Sequence, residues 1–289
     1  MGAKVCALTG ANGFVGGRLR RHLERHGWRV VPWTRQPQPG TDAVAFHLGQ
    51  QIQPNQFKRV DALVHCAYDF GPLHWQDIRA VNVAGSQNLF AAARDAGVRS
   101  VVFISTLSAF AGCRSLYGKA KLEIEGMAQS VGAFVIRPGL VYSDDPGGMF
   151  GRLLHQVRAA RVIPTMWGGR QTQYLVHDKD LGTLVQACLA GRVPAGAGPI
   201  AAAHDQGWEL KDLMAQIARA LGKRITFVPV PWQLVWLALK SLELAGTPAK
   251  FRSDNLISLV YQDPAPSFTL LKSLGLHCRP FNFSTGMGA

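Results

Sequence analysis

No run of about 18 uninterrupted apolar residues occurs anywhere in the chain, so a membrane-spanning helix is not expected. A secretory leader is missing too. Met1-Gly2-Ala3-Lys4 passes directly into the short apolar run Val5-Cys6-Ala7-Leu8, which stops at Thr9-Gly10, and a cytoplasmic location is therefore expected. Cysteines are few, five in 289 residues (Cys6, Cys66, Cys113, Cys188, Cys278), and none stands at metal-ligand spacing. This argues against a disulfide scaffold. Cys6 and Cys66 lie in apolar, strand-like runs and read as packed, reduced thiols. Acidic residues are the other shortage: 18 Asp and Glu against 31 Lys and Arg leave a net charge of +13. Such a surface favours an anionic partner, whether a phosphorylated cofactor, a nucleotide-linked substrate, an acidic carrier protein, nucleic acid or an anionic bilayer. The basic residues are dispersed, with no basic run and no interleaved aromatics, so no nucleic-acid partner is expected. Internal repeats and low-complexity segments are absent. At 47% hydrophobic and 17% charged residues, the composition is that of a globular chain able to bury a sizeable core.

What is present is an alternation. Short apolar runs at Val5–Leu8, Arg29–Trp33, Ala43–Phe46, Ala62–His65, Val101–Ser105 and Ala133–Ile136 have the length and composition of strands. Amphipathic segments of helix length, Phe14–Arg25, Ile78–Asp95 and Leu116–Ser130, fall between several of them. Strand–helix alternation implies right-handed crossovers and a parallel sheet covered on both faces, with its ligand at the carboxyl ends of the strands. After Tyr142 the pattern weakens. Asp144–Gly148 and Pro164–Gln173 look like loops, and a helix is expected after Asp180 and another over about 208–221. Arg224–Pro231 reads as a strand with two prolines, and Gln233–Ala245 as a strongly apolar helix. The expected fold is α/β, a doubly wound parallel-sheet Rossmann fold with a smaller C-terminal α/β substrate-binding portion. Residues 1–145 would form the dinucleotide-binding core, 174–203 would return to it, and 146–173 with 204–289 would hold the substrate.

The first strand is followed by Thr9-Gly10-Ala11-Asn12-Gly13-Phe14-Val15-Gly16, which also opens the first helix. Glycines at 10, 13 and 16 allow a tight turn and close approach of the backbone to a pyrophosphate, and the helix amino terminus adds free N–H groups. Where an acidic residue at the end of the second strand would hold the ribose 2′-hydroxyl of NAD, this chain has Arg35, suited to a 2′-phosphate. NADP(H) is therefore favoured, with NAD(H) the alternative. Further on, Tyr117 and Lys121 are four residues apart on one helix face. A neighbouring ammonium stabilises a phenolate and lets a tyrosine move protons near neutral pH. Thr106, and after it Ser105 and Ser108, stand at the end of the preceding strand, where a hydroxyl could hold a substrate oxygen.

With these motifs together, the chain resembles the extended branch of the short-chain dehydrogenase/reductase superfamily, the NAD-dependent epimerase/dehydratase family. The resemblance spans about residues 4–181. It rests on TGANGFVG at 9–16, DALVHCA at 61–67, VNVAGSQN at 81–88, VVFISTLSA at 101–109, YGKAK at 117–121, RPGLVY at 137–142 and LVHDKDL at 175–181. It implies Tyr117 as acid/base, Lys121 as the nicotinamide-ribose ligand that tunes it, and Thr106 as the substrate-orienting hydroxyl. Cofactor contacts would come from Gly10, Asn12, Gly13, Phe14, Val15, Gly16, Arg35, Leu48, Cys66, Ala67, Tyr68 and Ser105, and from Pro138, Gly139, Leu140 and Val141 beside the nicotinamide. Asn82 would prop the active-site helix and strand near the cofactor, Ser108 and Tyr142 would face substrate, and Asp180 would cap the following helix. A homodimer through the helices at about 78–95 and 116–130 is also implied.

Three departures narrow this picture. Leu107 and Ser108 replace the Asp-Glu pair of the family's nucleotide-sugar dehydratases, which argues against water-loss chemistry. The stretch from Thr106 to Tyr117 is shorter than in many sugar-nucleotide epimerases. The usual aspartate before the adenine pocket is replaced near His47-Leu48-Gly49. The expectation is an NADP-preferring oxidoreductase interconverting a secondary alcohol and a ketone, on a small substrate that is anionic or lipid-like. A nucleotide-sugar 4-epimerase with retained NAD is the first alternative, and a catalytically silent dinucleotide-binding subunit the second. His22 and His26 are four apart on the first helix but lack a third ligand, so no metal is expected. Trp232, Trp236 and Lys240 in the apolar segment could meet a bilayer surface, although packing in the C-terminal core or a subunit interface is the more ordinary role for such a helix.

Overall fold

The computed structural model describes residues 3–247 and 251–283. In chain order, the first half contains β1 (Val5–Thr9), α1 (Phe14–Arg25), β2 (Arg29–Thr34), β3 (Val44–Ala45), β4 (Ala62–His65), α2 (Trp75–Ile78), α3 (Ala84–Asp95), β5 (Ser100–Ile104), α4 (Leu116–Ser130) and β6 (Phe134–Pro138). There follow β7 (Leu140–Tyr142), α5 (Gly148–Ala159), β8 (Val162–Met166), β9 (Thr172–Gln173), β10 (Leu175–His177), α6 (Asp178–Leu189) and β11 (Ile200–Ala202). The chain continues through β12 (Trp208–Glu209), α7 (Leu210–Ala220), β13 (Thr226–Val230), α8 (Trp232–Leu244), α9 (Ser253–Val260) and α10 (Thr269–Ser273).

Seven strands form one sheet in the order β11-β6-β5-β4-β1-β2-β3, and every pairing in it is parallel. Alternation along each strand sends its side chains to two different cores. Cys6, Leu8, Val64 and Ile104 join Leu19 and Leu23 of α1 and Leu184 and Val185 of α6 on one face. Ala7, Leu63, Phe103 and Val135 join Phe90 of α3 and Ile124 of α4 on the other. A third core gathers Tyr142, Phe150, Leu154 and Ile163 against Leu213, Ile217 and Phe281. This is the doubly wound Rossmann architecture. The chain winds outward from β1 to β3, then restarts at β4 and winds the other way, so the switch point lies between the carboxyl ends of β1 and β4.

Most expected elements in the first half appear with their ends shifted by a residue or two, and Phe14–Arg25 and Leu116–Ser130 match as helices throughout. The third expected helix, Ile78–Asp95, differs: a π turn at Arg79–Val83 separates α2 from α3. Such a turn inserts one residue into the helical ladder and re-aims the side chains around it. Here it buries Asn82. Part of the expected loop Pro164–Gln173 is strand, because Val162–Met166 pairs in parallel with Thr226–Val230. The partner lies more than sixty residues away, beyond the reach of local pattern. Prolines are tolerated in this two-stranded ribbon because each strand keeps an unpaired edge. The helix expected after Asp180 starts two residues earlier, and His177 is its N-cap, its side chain accepting from the Lys179 N–H at 3.2 Å. Asp180 is therefore not the cap. Its carboxylate holds Arg279, with the ion pair at 2.6 Å and the Arg279 backbone N–H at 2.9 Å. Among the described residues no helix is long and apolar enough to cross a membrane.

Candidate active site

Two strand ends form the floor of the switch point. Thr9 and His65 are register partners on β1 and β4, and their side chains meet at 2.7 Å (Oγ1 to Nδ1). Thr9 Oγ1 also accepts the N–H groups of Cys66 and Ala67, both at 3.2 Å, so its own proton is given to His65 Nδ1. The imidazole proton must then sit on Nε2, which donates to Ser86 Oγ at 2.9 Å, and Ser86 passes its proton to the Asn82 carbonyl at 2.7 Å. Burial, with the Lys121 charge nearby, holds the His65 pKa well below the ordinary imidazole value, consistent with a neutral ring. This wholly buried chain of donors fixes the segment that carries Cys66, Ala67 and Tyr68 over the switch point.

The glycine loop meets that segment directly. Gly10 has φ +69°, and a Cβ on it would stand 2.9 Å from the Ala67 nitrogen. A Cβ on Gly16 would come within 2.2 Å of the Gly10 carbonyl oxygen. Only a side-chain-free backbone fits, and this leaves a cradle against the amino terminus of α1. The N-cap, Gly13, has no side chain to occupy the first N–H groups, and no acidic residue stands in the first turn. The cradle suits a dinucleotide pyrophosphate. Phe14 turns away from it and packs against Gly147 and Gly148, while Arg18 on the same helix pairs with Asp145 at 2.7 Å. The Asp144–Gly148 loop is thereby fastened beside the cradle. Val15 and Cys66 pack on the first core, whereas Leu48 packs on the second, against Gly85. Arg35, at the end of β2, is exposed, and its carbonyl receives His47 Nε2 at 3.1 Å.

Tyr117, Lys121 and Thr106 come together at the carboxyl end of β5. Lys121 is 2% exposed and donates to the Ile104 carbonyl at 2.8 Å. Its ammonium lies 4.6 Å from the Phe103 ring and 6.0 Å from the Tyr117 ring. Burial lowers its pKa to about 8, opposed by the charges of Cys66 and Glu125. The Tyr117 ring meets Tyr68 edge-on at 4.9 Å and stacks on Phe70 at 5.7 Å. Burial pushes its phenol up to about 12, opposed by a hydrogen bond with the Thr106 side chain. Thr106 and Ser108 line the cavity in front of Tyr117. Ser105, the neighbour of Thr106, points the other way. Its hydroxyl donates to Glu125, which also receives Arg137 at 2.6 Å, so the side chain is engaged in a buried ion-pair network. Asn82 is likewise committed: it accepts from the Asp69 N–H at 2.7 Å and donates to the Asp69 carbonyl at 3.0 Å.

Pro138, Gly139 and Leu140 border the same cavity, and Val141 is buried behind them. Tyr142 is a correction to its expected place facing substrate. Only 1% exposed, it lies in the third core against Phe150, His177 and Phe281, and it lines neither cavity described below. Tyr142 shares its strand face with Leu140, but Leu140 reaches the cavity at the edge of the third core while the Tyr142 ring lies inside that core.

Two cavities meet at Tyr117. One, of about 700 Å³, extends from Thr106 and Ser108 between α5, α7 and α9 and is lined by residues such as Leu140, Leu153, Met214 and Leu259. The other, of about 770 Å³, lies on the far side of Tyr117 and is lined by Tyr68, Leu73, Trp232, Trp236 and Tyr261. Phe70, Tyr117 and Asn255 border both. Both linings are mainly apolar. The first carries one cation and one carboxylate, Arg152 and Asp263, among its described residues.

Sequence reasoning missed Asp254. From α9, its two carboxylate oxygens accept the backbone N–H groups of Leu116 at 2.7 Å and Tyr117 at 2.9 Å, while Ser115 Oγ caps Gly118 at 3.1 Å. Three of the orphan donors at the start of α4 are thus satisfied. No local signal connects residues 137 positions apart. Asp254→Ala is expected to lower turnover about tenfold, the cost of ~1–2 kcal/mol at a lost cap, without changing dinucleotide affinity. Asp254→Asn should restore part of it, because its single oxygen can accept one of the two bonds. Steady-state kinetics beside dinucleotide titration checks this, and a loss confined to dinucleotide affinity would contradict it.

Comparison with known proteins places this geometry among relatives. The model of the NAD dependent epimerase/dehydratase family matches residues 6–195. The chain is 27% identical over 267 residues to UDP-glucose 4-epimerase of Vibrio cholerae, covering 79% of each chain. It is 26% identical over 281 residues to ceramide reductase of Caulobacter vibrioides, covering 91% of this chain and 86% of the relative. Among solved structures, MoeE5 in complex with UDP-glucuronic acid and NAD superposes with a TM-score of 0.73 at 20% identity, over 99% of this chain and 96% of that one. At that identity the likeness carries the fold.

Proposed function

The chain belongs to the NAD-dependent epimerase/dehydratase family, whose members carry out NAD(P)-linked oxidoreduction or epimerisation, and from that premise we propose an NADP-preferring reductase that interconverts a ketone and a secondary alcohol on an apolar, long-chain substrate. The observation that carries this is the position of Tyr117 where two mainly apolar cavities meet, with Thr106 lining one of them. A nucleotide sugar brings a diphosphate, and a site for one is normally rich in forked cationic donors. Arg152 is the sole cation among the described lining residues of the cavity in front of Thr106. The 26% identity with ceramide reductase over nearly the whole chain agrees with a lipid-like substrate.

In the reductive direction the Thr106 hydroxyl holds the carbonyl oxygen. The glycine cradle and the amino terminus of α1 would hold a nicotinamide dinucleotide, which would supply hydride for the carbonyl carbon. Tyr117, protonated at neutral pH because burial keeps its pKa near 12, gives its proton to the oxygen as negative charge develops there. Hydride plus proton complete the alcohol. The phenolate left behind has the Lys121 ammonium 6.0 Å from its ring, a positive charge that stabilises it until a proton returns.

Arg35 supports the NADP preference: it directly follows β2 and is exposed, and a guanidinium there is suited to fork onto a 2′-phosphate. Arg35→Ser is expected to weaken NADPH binding at least ~10-fold and leave NADH nearly unchanged, a loss of about 1.4 kcal/mol or more from a charge-assisted contact. Fluorescence titration of both dinucleotides on purified protein measures this, and equal affinities in the unaltered protein would overturn the preference. Denaturing the same preparation tests the second reading, a nucleotide-sugar 4-epimerase, which is favoured by the 27% identity with UDP-glucose 4-epimerase. Tightly retained NAD released on denaturation, with turnover of a UDP-sugar and none of a long-chain ketone, would put that reading first.

A further inference from the structure

We propose that the outward face of α8 docks on an anionic phospholipid bilayer. The thirteen residues of α8 contribute no buried side chain. Leu234, Leu237, Leu242 and Leu244 are 60%, 58%, 44% and 82% exposed. With Ala238 and Ala245, also exposed, they occupy about half of the helix circumference at 100° per residue. The one polar side chain among them, Ser241, is turned to its own helix and donates to the Leu237 carbonyl at 3.0 Å. Gln233 is exposed and the Lys240 side chain is 42% exposed, both beside the leucine face, whereas the one carboxylate of α8 points inward. Glu243 accepts from the Ser253 N–H at 2.8 Å and the Ser253 hydroxyl at 2.9 Å, and Lys240 pairs with Glu243 at 3.2 Å. Trp232 and Trp236 also face inward, onto the cavity beside Tyr117. The outward face is thus made by leucines, and not by the two tryptophans. A carboxylate turned in and leucines turned out reverse the pattern of a helix on a water-facing surface, and the half-exposed Lys240 leaves a cation at the border of the face.

Area and charge select the occupant. A helix of this length is about 20 Å long and about 10 Å across, so its face offers a few hundred Å². A stable pairing with a second copy needs about 800 Å² from each partner. An interfacial helix, in contrast, needs an apolar face with favourable charge around it. The net charge of +13 makes an anionic surface the complementary one. The apolar surface also continues from α8 to a cavity mouth: Leu237 lines the cavity beside Tyr117 together with Phe70 and Leu73, which are 54% and 37% exposed. Docking there would open that cavity onto lipid. The inference rests on the surface and holds whichever carbonyl compound is reduced.

The test is flotation of the purified full-length chain with phosphatidylcholine vesicles containing a minor fraction of phosphatidylglycerol, beside vesicles of phosphatidylcholine alone. The unaltered protein is expected to float with the anionic vesicles. Leu234→Glu combined with Leu244→Glu, at positions that line neither cavity, should reduce the floated fraction about tenfold while the thermal midpoint and dinucleotide binding stay unchanged. Unaltered protein remaining at the bottom with anionic vesicles would overturn the proposal, as would equal flotation of the double variant. A dimer in sedimentation that the same variant dissociates would also overturn it, assigning the face to a second copy.

Discussion

Tyr117→Phe is expected to lower turnover by about three orders of magnitude and leave both dinucleotide affinity and thermal stability close to those of the unaltered protein. The ring itself is held by packing. Its edge-on contact with Tyr68 and its stack on Phe70 need no hydroxyl, and Lys121 is fixed by the Ile104 carbonyl rather than by the phenol. What disappears is the proton donor and its hydrogen bond with Thr106. A positioned acid contributes ~10²–10⁴ in rate, and no other acid is placed to replace it, since Thr106 and Ser108 ionise far outside the working range. The Lys121 ammonium, at a pKa of about 8, donates into the backbone on the Ile104 side. Single-turnover kinetics with saturating dinucleotide isolates the chemical step. Unchanged turnover would remove Tyr117 from the reaction. Unchanged biological activity with no measurable turnover in either protein would favour the dinucleotide-binding subunit instead.

The parts of this site visible in the sequence are those whose signal is local. A glycine loop between a strand and a helix, and a tyrosine four residues before a lysine, fall within one or two turns of chain. Sequence separates Thr106 from Ser105 only by order of preference, yet as the chain leaves β5 one side chain reaches the cavity and the other Glu125. The invisible parts depend on tertiary contact. Asp254 reaches the start of α4 from α9, and His65 becomes the link between two strands only once Thr9 lies beside it in register. Tyr142 looked like a substrate contact because its motif adjoins the cavity, but Phe150 and Phe281 supply a better apolar environment behind the strand. In α8, composition announced an apolar helix without indicating which half of it faces outward. That depended on Glu243 finding Ser253.

Gly16→Val should abolish usable dinucleotide binding, raising Kd at least ~100-fold, and lower the thermal midpoint by roughly 5–10 °C. Gly16 is in the first turn of α1, directly over the loop it follows. A Cβ there would stand 2.2 Å from the Gly10 carbonyl oxygen and 2.8 Å from the Gly10 carbonyl carbon. Both are backbone atoms, and Gly10 has nowhere to retreat: it is held at φ +69° against the Ala67 nitrogen, which the Thr9–His65 chain fixes in turn. The loop must therefore open, costing ~1–3 kcal/mol of overpacking and misaligning the N–H groups at the start of α1. Gly17, the next residue, is the control. A Cβ there meets only the Ala11 carbonyl oxygen at 3.4 Å, an ordinary contact, and its φ is unexceptional. Gly17→Ala should bind dinucleotide normally and gain up to about 1 kcal/mol in helix propensity. Calorimetric titration of both variants separates a specific cradle from a generally fragile helix. If Gly16→Ala binds as tightly as the unaltered chain, the close approach of α1 to Gly10 is not what shapes the dinucleotide site. If Gly17→Ala fails as badly as Gly16→Val, the loss belongs to the helix and not to the cradle.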